Sequence, residues 1–139
     1  MIFAVKLCLL CAGLFLWVGL LTGILKYKAM MVSENQRAPI YIDVAHRAAL
    51  MYSFAALVMA QLLIYSPYSA TFQLWIAAVP LFFFAVSIAT YIKLGLQGQT
   101  RSQFSDKNFT TTWGMWALIV GEVGGVSMIV LGFVQTQFV

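Results

Sequence analysis

The sequence predicts an all-α integral membrane protein: a four-helix bundle of two antiparallel transmembrane hairpins, with both termini on the non-cytoplasmic side. Three observations carry this. Of 139 residues, 63% are hydrophobic and only 9% charged, whereas a soluble domain of ordinary composition carries about a quarter charged residues. The apolar residues fall into four blocks, each near the ~20 residues a spanning helix needs. Each block is continuously apolar, unlike the ~10-residue alternating strands of a membrane barrel. The basic residues gather at alternate loops, as the positive-inside rule requires of cytoplasmic segments.

The first span covers residues 2–25. Lys6 ahead of an apolar run imitates a secretory signal, but the run reaches Leu25. That is longer than the ~7–15 residues of a signal's apolar region, and no A-x-A cleavage site closes it. Lys26 and Lys28 follow as a stop-transfer flank, so the segment reads as a retained helix. Gly19 and Gly23 form a G-x-x-x-G, which lets helix backbones approach closely. Cys8 and Cys11 form a C-x-x-C inside the apolar run. Redox pairs of that spacing open a helix in water with an exposed thiolate, so these two read as small packing residues.

Residues 26–47 form the first cytoplasmic loop, and the second span covers 48–65. Asp43, His46 and Arg47 stand at its start, three and four apart, on one face of the first turn. Asp43 is placed as an N-cap that accepts orphan backbone N–H groups. Arg47 snorkels to lipid phosphate, or holds an anionic headgroup beside a proton-exchanging His46. A tight turn, SPYSA, leads to the third span, 72–95, where Pro80 near the middle should kink the helix and free a carbonyl one turn earlier.

The second cytoplasmic loop, 96–111, precedes the fourth span, 112–133. Gly114, Gly121, Gly125 and Gly132 are spaced seven, four and seven, which keeps them on one helical face. That face packs either within one chain or against a partner. Glu122 is the one acidic residue inside a span, and a carboxylate at that depth costs about 2.5–3.5 kcal/mol on insertion scales. It should face the bundle and be protonated or hydrogen-bonded. Depth counting puts Ser53, Gln61 and Ser87 within its reach.

Lys26, Lys28, Arg37 and Arg47 flank the first loop and Lys93, Arg101 and Lys107 the third, against Lys6 alone on the other side. Tyr65, Tyr68 and Trp75 mark the outer boundary and Tyr91, Trp113 and Trp116 the inner one, as interfacial aromatics do. The net charge of +4 is not a nucleic-acid footprint, because such binders line a solvated groove with Lys and Arg. His46 is the single histidine, so no metal site and no cofactor are expected.

The four-span layout, with Arg47 near the inner end of span two, resembles the MAPEG family of membrane glutathione transferases and leukotriene synthases. That family's second helix carries Arg-Ala-His with a following Asn and Glu. In AHRAALMYSF, Arg47 and Ala48 match, while Leu50 and Phe54 stand where the family has Asn and Glu. Glutathione chemistry is what membership would imply.

The sequence therefore predicts a multi-pass protein of the bacterial inner membrane whose surroundings are the lipid bilayer. It is expected to act as a non-enzymatic accessory or assembly component, through a homo-oligomer or a membrane partner subunit. The alternatives are an enzyme or binder for a lipophilic substrate at the inner leaflet, and a proton-coupled carrier using Glu122.

Overall fold

A computed structural model describes residues 2–105 and 109–139. Four helices account for most of them: α1, Phe3–Val32; α2, Ile40–Leu63; α3, Ala70–Leu96; and α4, Met115–Gln137, entered through a π-helical turn over Thr110–Gly114. No strand occurs among the described residues. Each of the four helices is long and apolar enough to cross a bilayer, and together they suggest an integral membrane protein. Lys107, counted above among the basic residues of the third loop, lies outside the described residues.

The helices outrun their apolar blocks. The segment 26–47, expected as a loop, is helical over most of its length, with 33–39 as the true connection. Each residue added to an existing helix gains a backbone hydrogen bond, and Lys and Ala favour helix. Helix α1 therefore continues two turns past Leu25. Helix α2 starts at Ile40, directly after Pro39, whose ring presets φ and which has no N–H to leave unsatisfied. Helix α3 stops by a Schellman motif: Gly98, at φ 65°, sends its N–H to the Gly95 carbonyl, and Gln99 sends its own to Leu94. A left-handed φ is what glycine supplies at that position.

Helices α2 and α3 form the centre, each touching the other three, while α1 and α4 do not meet among the described residues. Small residues make the α1–α2 seam. Ala45, Ala49, Ser53, Ala56 and Ala60 run down one face of α2, all buried, against Ala4, Cys8, Ala12 and Gly19 of α1. Small faces allow close backbone approach, so dispersion contacts replace the hydrophobic drive that is missing in lipid. Cys8 is fully buried and Cys11 half-buried in this seam, both as free thiols. Across it the Ser53 hydroxyl donates to the Ala12 carbonyl at 2.8 Å.

Helix α4 lies on α3 through its glycines. A Cβ on Gly121 would stand 2.5 Å from a Phe83 ring carbon, one on Gly125 2.5 Å from Pro80 Cγ, and one on Gly132 2.8 Å from the Tyr68 ring. At the far end Thr136 donates to the Tyr65 carbonyl at 2.6 Å. This pins the end of α4 to the α2–α3 turn.

Candidate functional site

The polar residues at the start of α2 divide between two directions. Because α2 begins three residues before Asp43, that carboxylate is no N-cap; Pro39 holds the cap position without a side-chain hydrogen bond. Asp43 instead bridges two cations, with Lys26 Nζ at 2.6 Å and Arg47 Nη2 at 2.7 Å. Lys26 reaches it because α1 is still helical there. The nearby cations hold the Asp43 charge, and its place in the first turn also suits the positive end of the helix dipole.

His46 turns the other way, onto α1. Its Nδ1 lies 2.8 Å from the Gly19 carbonyl oxygen. A carbonyl only accepts, so Nδ1 is the donor. The imidazole packs over Gly23, where a Cβ would come within 3.0 Å of its Cε1, and a Cβ on Gly19 would meet Leu50 at 2.7 Å. The Gly19–Gly23 pair thus seats α2 of the same chain. Arg47 is mostly exposed.

A cavity of about 200 Å³ lies between α2, α3 and α4. Tyr52 of α2, Phe83, Ser87 and Tyr91 of α3, Gly114 of the π-helical turn, and Met115 and Leu118 of α4 form its wall, together with Gln103. The π-helical turn brings Gly114 into that wall. Gln103 is held there because its backbone N–H donates to the Tyr41 hydroxyl at 2.7 Å, and the Tyr41 ring stacks on Tyr91. The Tyr52 ring stacks on Phe84 with centroids 4.2 Å apart, and Ser87 shares the wall with it. Val86 belongs to the wall and is also exposed, so the cavity reaches the outer surface of the bundle. A second, shallower hollow, with Arg47 at its edge, lies on the opposite side of Tyr52 and Tyr91.

Glu122 stands one turn beyond Leu118 on the same stripe of α4, within electrostatic range of both phenols. Its Oε1 is buried and has no hydrogen-bond partner. An unpaired oxygen of this kind is costly in an apolar setting.

Of the neighbours expected for Glu122, Ser87 alone stands on this side, through Tyr52. Ser53 faces α1. Gln61 is exposed, nine residues or roughly 13 Å along α2 from Tyr52 at the usual helical rise. The depth estimate that grouped it with Glu122 treated the helices as level. Pro80 is buried inside a continuous α3 and meets Gly125 rather than opening onto the cavity.

Tyr52, Tyr91, Gln103 and Lys26 were not singled out from sequence as parts of a site. The available signal was a tyrosine in mid-span, whose hydroxyl must find a partner when buried. Chemically, the cavity offers two phenols and one alcohol in an aromatic wall, with the Glu122 carboxyl one turn of α4 beyond Leu118. The lone histidine is occupied on α1, so no histidine stands beside Ser87 to activate it.

No protein-family model, no curated protein and no solved structure matches the chain. The likeness to the MAPEG family accordingly remains one of layout and two residues.

Proposed function

We propose that this is a multi-pass protein of the bacterial inner membrane that binds a lipid-soluble amphiphile in the α2–α3–α4 cavity. One observation carries the reading: a side-opening hollow whose polar groups, Tyr52, Ser87, Tyr91 and the neighbouring Glu122, converge inside an otherwise apolar bundle. Few convergent polar groups in an apolar pocket are the mark of a ligand site. With no nucleophile–base pair beside it, the role is binding rather than catalysis. The charge bias of the loops supports termini on the non-cytoplasmic side. In that orientation the cavity lies toward the inner leaflet, and Arg47 borders the separate hollow beyond Tyr52 and Tyr91.

Native mass spectrometry of protein released from a mild detergent tests this. A bound small molecule is expected in the wild type. It should be lost in Ser87→Leu and in Met115→Trp, both of which fill the hollow. An empty wild-type protein, or a molecule retained in both variants, overturns the reading.

A second reading keeps the association role. Helix α4 is the least buried of the four. It presents Trp116, Val120 and Val123 outward, with exposed Trp113 in the turn before it, and a Cβ on Gly124 would meet nothing. A homo-oligomer or a partner subunit would sit on that face, not on Gly121 and Gly125. Cross-linking in native membranes tests it, with a Gly124→Leu variant expected to lose the cross-linked species.

A further inference from the structure

We propose that the ligand is an organic cation, with Glu122 as its counter-ion and the rings of Tyr52, Phe83 and Tyr91 as its wall. The inference rests on the cavity being a binding site and names the chemistry it selects. The first observation is the carboxyl itself. Glu122 Oε1 is buried with no hydrogen-bond partner, and the ion pairs among the described residues all lie elsewhere, with Lys26 and Arg47 both engaged by Asp43. A carboxylate in hydrocarbon is paired or faces a polar cavity. Among the described residues no cation is paired with it, and a cationic ligand fills that part.

The second observation is the character of the wall. Three aromatic rings line the hollow, and aromatic faces attract ammonium groups, most strongly where water is excluded. An anionic ligand would meet the opposite: two phenols and no basic side chain among the lining residues, with the Glu122 carboxyl one turn beyond Leu118. Size gives the third constraint. About 200 Å³ is below the ~300–1,000 Å³ of pockets that enclose a whole drug-sized molecule. The cavity therefore takes one compact cationic head, such as a substituted ammonium, and an attached tail leaves past exposed Val86 into lipid.

Two probes of equal shape separate charge from fit: benzyltrimethylammonium and its uncharged isostere neopentylbenzene. Binding is read by saturation-transfer NMR on the full chain in dodecyl maltoside micelles, with empty micelles as blank. The cation is expected to bind at least about tenfold more tightly than the isostere. Glu122→Gln should remove that preference while leaving the isostere's binding unchanged, and Glu122→Asp should retain part of it. Equal affinities in the wild type, or a preference that survives Glu122→Gln, overturn the assignment. If the isostere binds and is displaced by Ser87→Leu while the cation binds no better, the cation assignment falls and the binding site stands. If neither probe binds above the blank, both fall.

Discussion

Gly125 of α4 lies against Pro80 of α3 so closely that a Cβ there would stand 2.5 Å from the ring Cγ and 2.8 Å from the Ile76 carbonyl oxygen. The two residues answer each other. Pro80 has no N–H to give Ile76, one turn earlier, so that carbonyl loses its helical donor. The bare Cα of Gly125 lets the α4 backbone close over it, where a Cα–H can face the oxygen. Bulk at Gly125 would collide with a rigid ring and with backbone, neither of which can swing aside.

Gly125→Ala is therefore expected to destabilise the protein by about 1–3 kcal/mol, the usual cost of overpacking. Gly124→Ala, one residue away in open space, should leave stability unchanged or slightly raised. Thermal unfolding in a fixed detergent, followed by tryptophan fluorescence, checks the pair. Equal effects at the two positions would contradict the packing described.

Ser53→Ala removes the hydroxyl that donates to Ala12 across the α1–α2 seam. Interhelical hydrogen bonds of this kind contribute about 0.6 kcal/mol on average in membranes. A loss of that order is expected, within ~2 kcal/mol, measured by unfolding in mixed micelles. A stabilised variant would show the bond to be unimportant.

Tyr41→Phe keeps the stack on Tyr91 but deprives the Gln103 N–H of its acceptor. The expected result is faster hydrogen exchange and earlier proteolysis within residues 97–105, by an amount matching a hydrogen bond of about 0.5–1.5 kcal/mol. Helix α2 should keep its protection. An exchange rate at Gln103 equal to wild type would mean that this contact does not hold the segment.

Asp43→Asn releases Lys26 and Arg47 together. All three side chains are partly exposed, and exposed pairs are typically worth under about 1 kcal/mol, less in salt. A small loss of stability at low ionic strength that disappears in high salt is the expected outcome. A large, salt-independent loss would place the charges in a drier setting than this.

The four helices were legible because hydropathy is a property of consecutive residues, and a backbone away from water must satisfy its hydrogen bonds internally. The glycine stripe of span four was legible as a face, because spacings of seven and four repeat on a helix. Its partner was not, since the collision at Gly125 depends on where α3 places Pro80. Gln61 misses Glu122 because residue counting fixes neither how far one helix slides along another nor how each is rotated about its axis. Asp43 reads as a cap in the sequence because the apolar block begins later than the helix, which starts at Ile40.

By itself the sequence determined the four apolar helices, the clustering of basic residues beside alternate loops, and the isolation of Glu122 as the one acid within a span. Only the tertiary structure decided that both G-x-x-x-G pairs serve neighbours in the same chain, that His46 packs onto α1, and that Tyr52, Ser87 and Tyr91 line one cavity. The first set follows from composition along a single line of chain. The second follows from how helices rotate and slide until small residues meet, and that is settled by contacts between segments dozens of residues apart.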